Sequence, residues 1–264
     1  MVAAPPDDLD AARVQLERAA EAGDPGAMFK LGALYEHSRQ PPDLDAARHW
    51  YERGADAGST DAMHNLGYVL SQRTQPPDLD AARHWYERAA DAGDTIAMFG
   101  LGVLYARLLQ PPDLDAARHW FERAAAAGNT AAMNNLGELY AERTQPPNLD
   151  AARHWWEHAA DAGNSNAMSN LGVLYDRLLQ TPDLDAALRW YARAAAGGHT
   201  GAMVNLGVLY AVRMQPPDLD AARHWFERAV DAGNPAAKHR LRLLRVKAMQ
   251  VRLRRALSWV TRRG

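Results

Sequence analysis

Gln75–Gly93 reads QPPDLDAARHWYERAADAG, and near copies of it begin at Gln40, Gln110, Gln145, Gln180 and Gln215, each 35 residues after the last. A seventh, degenerate copy begins at Pro5. A fixed period of this size means one supersecondary unit stacked many times, since a single helix pair cannot bury its apolar faces alone. The stretch carries its own punctuation. Pro-Pro stops the chain, and Asp78 is placed to N-cap the helix beyond it, as are Asp43, Asp113, Asn148, Asp183 and Asp218. Gly93 and its equivalents sit where a left-handed residue ends a helix. A second helix then starts after Asp24, Ser59, Asp94, Asn129, Asn164, His199 or Asn234, with Pro25 and Pro235 at the first helical position, where a missing N–H costs nothing.

Steps of 100° per residue show what each helix is for. In the helix from Leu44, residues Leu44, Ala47, Trp50, Tyr51, Gly54 and Ala55 gather on one side; Asp45, Arg48, His49, Glu52, Arg53 and Asp56 gather on the other. This is a half-buried helix with a solvated back. In the other helix Ala27, Met28, Leu31, Gly32, Leu34 and Tyr35 share a face that recurs in most copies, for instance as Ala97, Met98, Leu101, Gly102, Leu104 and Tyr105. The glycine lets a neighbouring helix approach closely. The fold class is all-α.

Composition bounds the function. With 47% hydrophobic and 23% charged residues in 264, the chain has ample material for a core. It has no cysteine, which excludes a disulfide framework, a thiolate metal site and a cysteine nucleophile. No apolar run approaches bilayer length, and the first residues lack a basic-then-apolar secretory pattern, so the expected address is cytoplasmic. Residues 1–237 carry 20 Lys and Arg against 32 Asp and Glu, whereas 238–264 carry 10 basic residues and no acidic one. The last stretch is a separate electrostatic object, with Arg242, Arg245, Arg252, Arg254 and Arg255 forming a basic tail.

One segment imitates an enzyme. His154–His158 reads HWWEH, the His-x-x-Glu-His spacing of the inverted zinc-protease helix. His154 copies His49, His84, His119 and His224, and Glu157 copies Glu52, Glu87, Glu122 and Glu227; only His158 is peculiar to its unit. All three fall on the solvated back, away from any cleft, and a hydrolytic zinc needs a third ligand and an open position. No Gly-rich phosphate loop, nucleophile with a base, or paired catalytic carboxylates accompany them. No catalytic residue, metal or cofactor is expected, and the chain is read as no enzyme.

What does not recur is more informative. On the Leu-Gly helix, the positions five and two before the leucine, one after the glycine and five after the leucine form one stripe opposite the packing face. Its middle pair runs Phe29 and Ala33, His64 and Tyr68, Phe99 and Val103, Asn134 and Glu138, Ser169 and Val173, then Val204 and Val208. An apolar, uncopied stripe on a surface helix marks a partner site. Asn65, Asn135, Asn170 and Asn205 immediately precede the leucines, placed either to hydrogen-bond a ligand backbone or to bond between helices.

The chain resembles the Sel1-like repeat family, a relative of tetratricopeptide repeats. AMNNLGELY from Ala132 and AARHWWEHAADAG from Ala151 carry the motif Ala-Met-x-x-Leu-Gly-x-Leu-Tyr, loop, Ala-Ala-x-x-Trp-Tyr-x-x-Ala-Ala-x-x-Gly, in phase up to about Leu244. QPPDLD stands where the common form has a glycine-containing loop. The resemblance implies a right-handed α-solenoid whose stripe lines a concave groove for a peptide. Only Lys30 lies beside that groove, which disfavours capture of an acidic C-terminus. Residues 1–23 are then an N-terminal capping helix, 24–232 six repeats, and 233–264 a basic capping helix. The expected function is a non-catalytic scaffold that binds a segment of another protein and takes no small-molecule substrate. Two alternatives stay open: a binder of anionic surfaces, nucleic acid or acidic lipid, through the tail, and a structural homo-oligomer.

Overall fold

The computed structural model describes residues 6–37 and 41–246, and every element in it is helical. They fall into two compact units divided between Ala132 and Met133. The first holds α1 (Pro6–Glu21), α2 (Pro25–His37), α3 (Leu44–Asp56), α4 (Thr60–Tyr68), α5 (Leu79–Asp91), α6 (Thr95–Val103) and α7 (Leu114–Ala126). The division falls inside α8 (Thr130–Glu142). The second unit continues with α9 (Leu149–Asp161), α10 (Ser165–Val173), α11 (Leu184–Ala196), α12 (Thr200–Val208), α13 (Leu219–Asp231) and α14, residues 235–246. Each repeat is a Leu-Gly helix and the Trp helix after it, so repeat 1 is α2–α3 and repeat 6 is α12–α13. No helix among the described residues is long and apolar enough to cross a membrane.

The punctuation read from the sequence is what ends and starts these helices. Gly23, Gly58, Gly93, Gly128, Gly163, Gly198 and Gly233 all have φ between 82° and 94°. At Gly58 the N–H donates to Ala55 O (3.0 Å) and Ser59 N–H to Gly54 O (2.9 Å), the paired bonds of a Schellman end. Ser59 then caps the next helix at once, its hydroxyl accepting from Ala62 N–H at 3.2 Å. The proline loop is just as defined. Asp78 accepts from Ala81 N–H at 3.0 Å, and its own N–H reaches back to Leu70 O at 2.9 Å. The same backbone closure recurs at Asp43, Asp113, Asn148, Asp183 and Asp218. Each cap is worth about 1 kcal/mol. Unannounced by the sequence, α4, α6, α10 and α12 each end in a π-helical turn, Val69–Arg73, Leu104–Leu108, Leu174–Leu178 and Leu209–Arg213.

The close approach at the recurring glycine is made by a ring, not a helix backbone. A Cβ on Gly102 would stand 2.4 Å from Phe121, and one on Gly172 would stand 2.4 Å from Tyr191. Tyr51, Phe121 and Tyr191 are accordingly at most 2% exposed. The tryptophan one residue earlier is only half-buried, with an arginine guanidinium over its ring: Arg53 on Trp50 at 4.6 Å, Arg123 on Trp120 at 4.5 Å. At the opening end, exposed Gln15 stands at the tryptophan position while Leu16 packs on Ala20, Met28 and Leu31. At the closing end Leu244 is buried and Leu243 and Val246 are exposed.

Candidate functional site

The stripe is not one surface, and its parts divide by what they touch. In the first unit α4 and α6 enclose a hollow of about 410 Å³. Tyr68, Ile96, Phe99, Val103 and Leu108 supply apolar walls, Tyr86 also lines it, and the polar side chains are His64 and Asn65 on α4 and Ser71 and Gln72 in the turn after it. Ile96 and Tyr68 are 56% and 42% exposed. Phe99 is half-buried, its ring 5.9 Å from that of Phe121. Gly100 opens the hollow: other repeats have Lys30 or Asn at this position, and a Cβ here would meet the Tyr86 ring at 2.8 Å. In α2, Phe29 leans on Tyr51 with 6.2 Å between centroids, Ala33 is half-buried and Lys30 is exposed.

His64 and Asn65 are tightly engaged. His64 Nδ1 lies 2.8 Å from Asp94 Oδ2, and Asp94 Oδ1 accepts from Ala97 N–H at 2.8 Å, capping α6. Burial pushes the Asp94 carboxyl up, but hydrogen bonds from His64 and from the α6 N-terminus outweigh it and hold the pKa below the usual value. Asn65 Nδ2 donates to Asp61 O at 2.8 Å and lies 3.0 Å from His64 Nε2.

In the second unit two of the equivalent positions are turned inward. Asn134 and Ser169 are buried. Asn134 Oδ1 accepts from Asn170 Nδ2 at 3.0 Å, Asn134 Nδ2 donates to Glu138 Oε1 at 2.9 Å, and Asn134 O accepts from Trp156 Nε1 at 3.2 Å. Asn170 therefore bonds between repeats. Val173 packs on the cluster around Tyr191, and Val204 and Val208 pack on the one around Phe226 and Leu244. Asn135 and Asn205 are half-buried.

The fourth stripe position, five after the leucine, faces the core rather than a partner. Glu36, Ser71, Asp176 and Ala211 are each at most 5% exposed. The Trp helix of the same repeat packs over that end, and the residue matches the ring it meets. Tyr51 Oη donates to Glu36 Oε2 at 2.9 Å, and Ser71 hydrogen-bonds Tyr86. Burial pushes Tyr86 up to about 12, with the bond to Ser71 pulling the other way. Tyr191 faces Asp176, whose carboxylate Arg177 and Arg213 have taken at 2.8 Å and 3.0 Å. Where the ring lacks a hydroxyl, at Phe121, Trp156 and Phe226, the position is Ala106, Ala141 and Ala211. The covariation was present in the sequence as a pairing at fixed distance, fifteen residues apart.

The enzyme-like segment stays on the back of α9, with His154 and His158 exposed and their rings 4.5 Å apart. Among the described residues, the group of three side chains whose ligating atoms all lie within 4.8 Å of one another is instead Asp61, His64 and Asp94. Of the basic tail, Arg242 and Arg245 are exposed on α14; Arg252, Arg254 and Arg255 lie outside the described residues.

Helix pairs of 35 residues, closed by a glycine cap and keyed by a ring on a glycine, define an all-α repeat protein of the tetratricopeptide-like class. The Sel1 repeat model matches six times, at 25–59, 60–94, 95–129, 130–164, 165–199 and 200–234, and the chain belongs to that family. Among solved structures it is similar to a Sel1 repeat protein from Oxalobacter formigenes, with 30% identity, 80% of this chain and 89% of that one covered, and TM-score 0.67. A protective antigen of uropathogenic Escherichia coli with the same repeat fold shares 23% identity over 87% of this chain and 50% of its own, TM-score 0.65. An immunity protein from Pseudomonas aeruginosa shares 18% over 80% and 82%, TM-score 0.54. No curated protein sequence matches the chain significantly. Sel1 repeat proteins generally mediate protein–protein interaction and are typically non-catalytic scaffolds.

Proposed function

We propose that the chain is a non-catalytic interaction scaffold and that the hollow between α4 and α6 takes an apolar side chain from an extended or helical segment of a partner protein. The observation that carries this reading is that Ile96 and Tyr68, exposed side chains that no other repeat has at their positions, wall the hollow. Copied core faces explain the fold without them. Exposing such side chains around a concavity is unfavourable unless something covers them. The remainder of the stripe supports the reading less: Phe29, Ala33 and Lys30 extend it on α2, while Asn134, Ser169 and Asn170 spend their polar groups internally.

Selection of peptides from a display library on the full chain tests it. Enriched sequences are expected to share an apolar anchor, and the binding of a synthetic representative should depend little on salt. Failure to enrich any common anchor would overturn the reading. A second reading, binding of an anionic surface through exposed Lys238, Arg240, Arg242 and Arg245 on α14, is favoured by the absence of acid in 238–264. It calls for steep salt dependence instead.

A further inference from the structure

We propose that Asp61, His64 and Asp94 form a binding site for a divalent transition-metal ion of the zinc type beside the α4–α6 hollow, which His64 also lines. Their ligating atoms lie within 4.8 Å of one another. Two elements supply them. Asp61 and His64 are three residues apart on α4, which places them on one face, and Asp94 is the cap of α6 in the next repeat.

The contrast between copies that disposes of HWWEH singles out this trio. His154 and Glu157 have counterparts in four other copies; Asp61 has none, and His64 has only His239 on the closing helix α14, where no acidic residue stands at the Asp61 position. Within the other repeats the equivalents of Asp61 are Gly26, Ile96, Ala131, Asn166 and Gly201, and those of His64 are Phe29, Phe99, Asn134, Ser169 and Val204. The helix forms with any of these, so the fold requires neither the carboxylate nor the imidazole. Both appear together in the one repeat whose successor brings a third ligand within reach.

The chemistry fits a borderline metal. One imidazole nitrogen and two carboxylates suit zinc and its neighbours, whereas calcium and magnesium take oxygen alone. The His64 and Asp94 side chains are 13% and 11% exposed, so two ligands are largely ordered in place, and exposed Asp61 is free to swing in. With Asn65 Nδ2 3.0 Å from Nε2 and Asp94 Oδ2 2.8 Å from Nδ1, the metal-free arrangement suits a neutral ring that carries its proton on Nδ1. To take the ion through Nδ1 the neutral ring moves its proton to Nε2, and the Asn65 amide turns to accept it through Oδ1, giving up its bond to Asp61 O. Ligands about 2.0–2.2 Å from a tetrahedral ion stand about 3.3 Å apart, so Nδ1 and Oδ2 need to part only slightly. Asp94 keeps its other oxygen for the cap of α6, which fixes its orientation as an outer partner would. Three protein ligands leave one position for water. The bound ion would tie repeats 2 and 3 together, a role independent of whether the hollow takes a peptide.

Calorimetric titration of zinc chloride into the full chain tests the site, with cobalt chloride absorption as a second readout. His158→Arg serves as a control because the exposed His154–His158 pair is a rival zinc ligand. One equivalent bound is expected, unchanged in His158→Arg. Asp61→Gly and His64→Phe use residues that other repeats carry, so each is expected to fold as before and to weaken binding at least about tenfold. Zinc binding that survives His64→Phe, or that vanishes in His158→Arg, overturns the proposal, as does the absence of any stoichiometric binding.

Discussion

In repeat 3 the α6 sequence TIAMFGLGV and in repeat 5 the α10 sequence SNAMSNLGV build the same backbone, capped by the same kind of side chain from Asp94 and Asn164. Their outward chemistry is opposite. α6 presents Ile96, Phe99 and Gly100 around a hollow, while α10 has Ser169 buried and Asn170 bonded to Asn134 of the preceding repeat. Differences between copies therefore have two origins. Some, such as Glu36 with Tyr51 or Asn134 with Asn170, are settled inside the protein by a neighbouring side chain. Others, such as Ile96 and Tyr68, are settled by nothing within it, and those point to a partner.

The largest expected effect lies in what every copy shares. Phe121 is 2% exposed, fills the space above Gly102 and supports Phe99. Phe121→Ala should cost about 3–5 kcal/mol by urea unfolding, from lost transfer energy and the cavity left behind. Trp120→Ala should cost clearly less, because Trp120 is only half-buried, with Arg123 over its ring and His119 at its edge. Equal costs for the two would mean the assignment of the keying ring is wrong.

A smaller effect tests the internal class of difference. Tyr51→Phe removes the donor to Glu36, whose carboxylate is 2% exposed, and should cost about 1–3 kcal/mol. Glu36→Ala added to it recreates the Phe–Ala pairing of repeats 3 and 6 and should recover most of that loss. Additive costs in the double-mutant cycle would show that the pairing across repeats is coincidence.

Smaller again is a pH effect confined to α12. His199 caps that helix by accepting from Ala202 N–H at 2.9 Å through Nδ1, which requires a neutral ring, and burial lowers its pKa below 6.5. A depressed folded pKa means the unfolded chain takes up the proton first. The contribution is complete above about pH 6.5 and is lost as pH falls through the lower folded value. Stability between pH 7 and pH 5 should fall more in the natural chain than in His199→Asn, where the cap does not titrate.

Much of the fold was legible beforehand, for definable reasons. Backbone conformations that only glycine tolerates, and donors that only a short polar side chain can cap, leave signatures in single residues; hence all seven positive-φ glycines and the caps from Asp24 to Asn234 stand where the sequence places them. Facing is harder. A stripe drawn at 100° steps assigns Glu36 and Asp176 to the outside, yet the Trp helix crosses over that end and buries both. Convergence across repeats is harder still. Nothing in a linear pattern brings Asp94 to His64, thirty residues away, whereas HWWEH advertises itself and gathers no third ligand among the described residues.

The most direct test of the division between settled and open positions is to give α6 the surface of α10. Ile96→Asn with Phe99→Ser installs what repeat 5 uses and leaves Gly100 and the core ring in place. The selected peptide is expected to lose at least about tenfold in affinity while the urea midpoint stays close to that of the parent chain, since isolated surface changes cost within about 0.5 kcal/mol and the half-buried Phe99 contributes little more. Undiminished affinity in this variant, or collapse of the fold without any change in binding by the surviving folded fraction, would contradict that division.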